Sequence, residues 1–206
     1  MINIIDPHLH LFDLERGQYD WLKSEYPPTW SDKNTIHKSY IEADLQKSAA
    51  FSVSGYVHIE AGFDNDLGHL EIANIEQRAS LPQRSIGFID ITLDPAEFVN
   101  EVNNQAQYRS TVGIRHIIET LDLSTENTLL LEQDFSKNEV KRITSILENV
   151  NSYTNLTFLQ TRKGIFELQC DVNNRELVVQ VFAFFQRLPN LQIVLNHAGF
   201  APSAFV

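Results

Sequence analysis

Residues 2–10 read INIIDPHLH, an apolar run that predicts a β-strand over Ile2–Pro7, followed by two histidines one residue apart. Because side chains alternate across a strand, His8 and His10 point to the same side if the extended backbone continues through them. Two neutral imidazoles side by side can bind one divalent cation such as zinc. The alternative is a hydrogen-bonded pair of surface histidines. Since β/α enzymes place their sites at the carboxyl ends of parallel strands, this stretch predicts a parallel sheet with a candidate site at its edge.

The rest of the chain alternates strand-like and helix-like segments. A helix is predicted to begin at Asp94-Pro95-Ala96-Glu97, where Asp can cap and Pro tolerates the first turn. Further strands are predicted at Val53–Ile59, Ser85–Ile91, Val112–Ile117, Ile165–Gln169 and Gln192–Asn196, and further helices after Ser136, after Asn173 or Asn174 and over Asp66–Arg78. This alternation indicates a single α/β domain over residues 1–206, either a doubly wound sheet or a (β/α)8 barrel. No glycine-rich phosphate-binding motif follows a strand, which argues against the common nucleotide-binding folds.

Charge and composition exclude several classes of partner. The 206 residues carry 16 Lys and Arg against 27 Asp and Glu, a net charge of −11, so nucleic acids and anionic membranes would be repelled. The single cysteine, Cys170, permits no internal disulfide and is expected in the core. We find neither a signal peptide nor an apolar run of roughly 20 residues, so we expect a cytoplasmic protein.

Polar side chains recur near the carboxyl ends of the predicted strands. His58 and Glu60 share one face of the second strand, and Arg115 lies at the end of the fourth. His116 has the opposite parity from Arg115, so both face one site only if the strand ends between them. Gln169 and His197 end the fifth and sixth strands in the same way. Such a polar rim supports a site without identifying its reaction.

A set of short motifs runs through nearly the whole chain in one order. They are IDPHLHLFD (5–13) followed by Tyr19-Asp20-Trp21-Leu22, VHIEAG (57–62), GFID (87–90), VGIRHIIE (112–119), FELQ (166–169) and VLNHAG (194–199). In this order the sequence resembles the amidohydrolase-related (amidohydrolase 2) family of TIM-barrel hydrolases. The resemblance is strongest to the branch containing sugar-lactone and 2-pyrone-4,6-dicarboxylate lactonases.

The resemblance implies a (β/α)8 barrel that opens a carboxylated or sugar lactone by water attack. His8, His10 and His197 would hold a divalent metal, zinc, or polarise the lactone carbonyl themselves in members without tight metal. Arg115 would bind a substrate carboxylate, although a structural ion pair is the alternative. Weaker candidates to line the pocket are His58, Glu60, His116 and Gln169. Trp21 and Trp30 are expected to wall the pocket or to anchor the first long loop.

One departure from the family limits this prediction. Only six strands precede Val206, so the resemblance predicts a barrel that lacks its last two strands. The family's catalytic aspartate, which belongs to a final-strand motif, has no counterpart here. We therefore expect exposed sheet edges, covered by homo-oligomerisation or by residues outside this sequence. Two further functions stay open: a decarboxylase of the same wider family, and an inactive truncated barrel serving as a binding module.

Overall fold

A computed structural model describes residues 2–26, 31–45, 51–63, 67–117, 145–170, 172, 173 and 175–200. The chain forms two compact units. The first comprises Met1–Ile89 and Glu101–Arg115, and the second comprises Asp90–Asn100 and His116–Val206. The elements in chain order are β1 (Ile2–Leu9), α1 (Glu42–Leu45), β2 (Phe51–Ile59), α2 (Gly68–Arg78), β3 (Gln83–Phe88), α3 (Pro95–Gln105), β4 (Thr111–Arg115), α4 (Val150–Thr161), β5 (Ile165–Leu168), α5 (Arg175–Phe185) and β6 (Gln192–Leu195), with 3-10 helices at Asp20–Leu22, Lys33–Ile36 and Asn196–Phe200.

All six predicted strands are present, and every strand pairing described within a unit is parallel. In the first unit β1 pairs with β2, β2 with β3, and β3 with β4. In the second unit β5 pairs with β6. The prediction of an α/β fold with parallel strands is thus confirmed, while closure into a (β/α)8 barrel stays a prediction.

Strand β1 is irregular just before the histidine pair. Its register against β2 shifts between Asp6 and Leu9. Pro7 has no N–H to give to a ladder, and the Asp6 side chain accepts the His8 N–H at 3.0 Å instead. The Asp-Pro dipeptide therefore accounts for the second of two register shifts in β1, the first lying between Ile4 and Ile5, and sets the backbone from which both imidazoles project.

The buried faces of two helices, α2 and α5, combine expected apolar residues with one that apolar spacing does not predict. In α2 the buried residues are Gly68, Glu71 and Ile72, while Leu67 and Leu70 are exposed. A carboxylate, Glu71, therefore occupies the buried face of α2, while two leucines of the predicted helical segment lie outside it. In α5 the buried residues are Leu177, Val181, Phe184 and Phe185, while Phe182 is exposed. The observed spacing of four, three and one is that of an inward helical stripe.

The long segment after β1 folds back onto the sheet end. Phe12, Tyr19, Leu22, Ala61 and Phe63 form a buried cluster, against which Trp21 packs. The Trp21 indole N–H donates to the Ala61 carbonyl at 2.7 Å. Trp21 is therefore an anchor of this segment, as one of the two sequence interpretations held. Trp30 lies outside the described residues.

The helix start predicted at Asp94 is confirmed in α3. The Asp94 side chain accepts the Ala96 N–H at 2.9 Å, and Pro95 takes the first helical position. The helix start predicted at Ser136 lies outside the described residues.

The second unit packs its two strands against α4 and α5. Phe166, Cys170, Leu156 and Leu177 are all buried, so the expected core position of Cys170 is confirmed. Among the described residues no helix is both long and apolar enough to cross a bilayer.

A half-exposed junction in the first unit, around Glu42, predicts acid sensitivity. Burial alone raises the pKa of the Glu42 carboxyl, but hydrogen bonds from Ser80, Tyr56 and Leu81 outweigh it and hold that pKa below its ordinary value. A lowered folded-state pKa gives stability that is present above the ordinary pKa and lost as pH falls through the folded value.

We therefore expect Glu42→Gln to lower the free energy of unfolding at neutral pH by about 0.5–1 kcal/mol, because solvent screens this partly exposed carboxyl, and to flatten its decline below about pH 4.5. Urea unfolding between pH 3 and pH 7 measures both effects. Glu97→Gln, at an exposed acid on α3, is the control and should change neither. If the free energy of unfolding of Glu42→Gln declined in acid as steeply as that of the parent, the lowered pKa of Glu42 would be contradicted.

Candidate functional site

The first unit brings His8 and His10 together at the end of β1. Their Nε2 atoms lie 3.3 Å apart, with the rings nearly perpendicular and their centroids 5.1 Å apart. Both side chains are half-buried. The alternation argument thus placed the two imidazoles on one side, even though the strand is irregular between Asp6 and Leu9.

Backbone carbonyls of the neighbouring strand fix the tautomer of His10. Its Nδ1 lies 3.0 Å from the carbonyl oxygens of both Ile59 and Glu60. A carbonyl oxygen can only accept, so Nδ1 carries the proton and the Nε2 lone pair is directed towards His8. Burial, and then the positive charge of Arg115, lower the pKa of His10 to about 4. The ring is therefore neutral at pH 7, the form that binds metals.

Arg115 and Glu60 form a buried charged pair at the ends of β4 and β2. The Arg115 Nε lies 3.6 Å from Glu60 Oε1, and both side chains are about 5% exposed or less. The other carboxylate oxygen of Glu60 accepts the Gly62 N–H at 2.8 Å. Burial raises the pKa of Glu60, and the Arg115 charge opposes that rise. This is the ion pair that the sequence left as the alternative for Arg115, whereas binding of a substrate carboxylate stays a prediction.

His58 has a different environment from the pocket wall that the sequence suggested. Its side chain has no exposed surface, so it lies behind the strand ends instead of facing solvent. Its Nδ1 accepts the backbone N–H of Leu11 at 3.3 Å. The alternation of side chains along a strand does not say how deep a residue lies, so the sequence could not predict this burial.

One buried residue beside His58, Glu71, escaped the sequence analysis. Glu71, from α2, is 1% exposed, and its Oε1 lies 3.9 Å from His58 Nε2. Tyr19 donates its hydroxyl to Glu71, and burial together with this carboxylate raises the Tyr19 pKa. A signal for Glu71 was available: it lies three residues after Gly68 and four before Ile75, on the side of α2 that meets the strands.

The remaining predicted site residues lie in the second unit. His116 Nδ1 accepts the Ile91 N–H at 3.2 Å and lies 3.5 Å from Asp90. Gln169 accepts a hydrogen bond from the buried Asn196 at 3.4 Å. Since His197 belongs to this unit, its place relative to the histidine pair of the first unit stays a prediction.

His197 lies in an unusual backbone segment directly after β6. His197, Ala198 and Gly199 all have positive φ, of 49°, 48° and 66°. The Asn196 side chain accepts the His197 N–H at 2.9 Å, and the Gly199 carbonyl accepts the Val172 N–H at 2.9 Å. A non-glycine residue in this region is costly and is held only by surrounding contacts.

Opposite effects of two substitutions are expected in this segment. Ala198→Gly should stabilise the protein by about 1 kcal/mol because it removes a left-handed alanine. Gly199→Ala should destabilise it by about 1–3 kcal/mol, since its Cβ would also meet Val172 at 2.3 Å. Thermal or urea unfolding of the two variants measures the signs. Equal effects of both substitutions would contradict the left-handed assignment.

The histidine pair fits a divalent cation, although the described residues include no group of three or more His, Cys, Asp or Glu side chains placed to hold one. Two nitrogens bound to one zinc at about 2.0–2.1 Å with tetrahedral geometry lie about 3.3 Å apart, the separation of the His8 and His10 Nε2 atoms. A metal-bound histidine usually donates its other N–H to a carbonyl or carboxylate, as His10 does here. The same separation also suits an N–H···N hydrogen bond between the rings in the metal-free protein.

Comparison with known proteins gives the same fold over the aligned part. No protein-family model matches the chain. It is 28% identical over 207 residues to the uncharacterized protein y4mH of Sinorhizobium fredii, covering 96% of this chain and 63% of that protein. It aligns with an amidohydrolase 2 from Bifidobacterium longum subsp. infantis (TM-score 0.61, 16% identity), covering 99% of this chain and 64% of that one.

A second solved structure is an amidohydrolase from Burkholderia multivorans with bound zinc (TM-score 0.63, 16% identity). The alignment covers 95% of this chain and 57% of that one. The chain has the fold of these amidohydrolases. It spans about three fifths of the length of the proteins that it matches.

Proposed function

We propose that this chain belongs to a metal-assisted hydrolase that opens a lactone or related cyclic ester, with His8 and His10 as two imidazole ligands of a divalent cation. The observation that carries the proposal is the 3.3 Å separation of the two Nε2 atoms, with His10 Nδ1 committed to backbone carbonyls. The zinc in the Burkholderia amidohydrolase, which shares the fold, supports the same choice of metal. A bound cation would supply a Lewis acid for the ester carbonyl and lower the pKa of a bound water.

The chain's own residues prepare this position in two ways. Burial and the Arg115 charge keep His10 neutral, so that a cation meets a lone pair instead of a competing proton. Arg115 also places positive charge near the histidine pair, where it favours a substrate that carries a carboxylate or develops negative charge. The pairing of Arg115 with Glu60 leaves its net charge at the site partly compensated. A carboxylated lactone is therefore the substrate class that we propose.

A third ligand at His197 stays a prediction from the sequence resemblance. His197→Ala tests it in the zinc-binding assay that tests the pair. If His197 is a ligand, zinc affinity falls as steeply as in a variant that lacks His10. Unchanged affinity would remove His197 from the ligand set while leaving the pair.

The proposed activity is tested by hydrolysis of a panel of sugar lactones and carboxylated lactones. The protein is stripped with chelator, and turnover is compared before and after zinc is added back. We expect ring opening that depends on zinc and is lost in His8→Ala. Release of carbon dioxide from unsaturated acids, without ring opening, would favour the decarboxylase. No turnover of either kind by the zinc-loaded protein would overturn the enzyme proposal.

A further inference from the structure

The backbone around His10 is held from β2 at two neighbouring points. The His10 ring donates from Nδ1 to the carbonyls of Ile59 and Glu60. The next residue, Leu11, donates its backbone N–H to the Nδ1 of His58 at 3.3 Å. Consecutive residues of β2 thus contact both the ring of His10 and the peptide that follows it.

The contact to Leu11 determines where His58 carries its proton. A nitrogen that accepts an N–H must present a lone pair, so in neutral His58 the proton is on Nε2. That Nε2 is fully buried and has no hydrogen-bond partner among the described residues. The other tautomer would set two N–H groups against each other at Leu11 and leave a buried donor unsatisfied, which typically costs about 1–3 kcal/mol.

Glu71 faces the proton-bearing side of His58. Its Oε1 is 3.9 Å from His58 Nε2, too long for a hydrogen bond but close enough for strong attraction where both side chains are at most 2% exposed. The Ala61 N–H, donating to Oε1 at 3.0 Å, and the Tyr19 hydroxyl hold this carboxylate in place. A helix residue thus directs an acceptor oxygen to the one side of the imidazole where this tautomer carries its N–H.

We propose that Glu71 and His58 are positioning residues for His10. Glu71 selects the His58 tautomer with the proton on Nε2, His58 holds the Leu11 N–H, and the His10 ring is thereby kept against the two carbonyls with its Nε2 directed to His8. The inference rests on the proposed function, because the direction of the His10 Nε2 lone pair matters for function only if that nitrogen binds a cation. The chain of contacts itself does not depend on a bound cation.

Two matched pairs of variants test the proposal. Asparagine and leucine have nearly the same shape, but only asparagine can present an acceptor where His58 has Nδ1. His58→Asn should therefore keep the contact to the Leu11 N–H that His58→Leu loses. In the same way Glu71→Gln keeps an acceptor oxygen that Glu71→Met lacks. The first measurement is ¹⁵N NMR of the His10 ring in the metal-free protein. We expect protonated Nδ1 and unprotonated Nε2 in the parent, His58→Asn and Glu71→Gln, and mixed tautomers in His58→Leu and Glu71→Met.

The second measurement is zinc affinity by competition with a chromophoric chelator. Residues behind a ligand typically change metal affinity by about 10- to 100-fold, the loss expected for His58→Leu and Glu71→Met. His58→Asn and Glu71→Gln should stay within about threefold of the parent. Thermal unfolding without zinc shows which variants fold, and if His58→Leu does not, the Glu71 pair decides.

The outcomes separate this proposal from the proposed function. A parent that shows the expected His10 tautomer but binds no zinc overturns the metal site and supports the positioning contacts. Folded His58→Leu or Glu71→Met with the parent's tautomer and zinc affinity overturns the positioning role. Equal losses within a matched pair also overturn it, because the acceptor would then not be what matters.

Discussion

Replacing Arg115 by methionine should lower the free energy of unfolding by about 3 kcal/mol, because it leaves the Glu60 carboxyl buried without its charged neighbour. Methionine keeps much of the apolar stem and removes the guanidinium. The cost lies at the lower end of the range for a broken buried pair, since burial already raises the pKa of Glu60 and the group can take up a proton.

A double-mutant cycle with Glu60→Gln checks this result. Each single substitution should be costly, while the double variant should be more stable than the sum of the single effects predicts by about 2 kcal/mol. Urea unfolding at neutral pH gives the four free energies. Additive effects of Arg115→Met and Glu60→Gln would show that the two side chains do not interact and would contradict the ion pair.

Removing the imidazole at position 10 should have the largest effect on function. We expect His10→Ala to weaken zinc binding by more than the roughly 10- to 100-fold typical of a residue behind a ligand, because a direct ligand is lost. Zinc-dependent ring opening should be lost with it. Competition with a chromophoric chelator and the lactone assay measure the two effects.

The matched control for this prediction is His37→Ala. His37 is exposed at the end of the 3-10 helix Lys33–Ile36. The same substitution there removes one imidazole without touching the pair and should leave zinc affinity unchanged. Parallel losses in both variants would mean that zinc binds the protein's histidines without a specific site.

The sequence predicted the strands well because their signal is local. Each apolar run, bounded by polar residues, marks a strand wherever it packs, and the Asp-Pro dipeptide explains where β1 becomes irregular. The pair at His8 and His10 was visible for the same reason, since its spacing alone places both rings on one side. The sequence placed Arg115 correctly at a strand end, but it did not identify Glu60 as the neighbour of its guanidinium there.

The parts that the sequence could not predict depend on contacts between distant segments. Whether His58 faces a pocket or lies beneath it depends on how Leu11 and Glu71 pack against it, 47 positions before and 13 after. Glu71 was overlooked because apolar spacing assigns a charged residue to the solvent side of a helix. Its partners, the Ala61 N–H and the Tyr19 hydroxyl, compensate its burial, and neither is a neighbour in sequence.

X-ray absorption at the zinc edge of the zinc-loaded protein tests the central claim most directly, that His8 and His10 bind one cation together. We predict imidazole nitrogen scattering at about 2.0–2.1 Å, with two such ligands lost in the His8→Ala, His10→Ala double variant. A spectrum without imidazole scattering, or one that the double substitution leaves unchanged, would contradict the account.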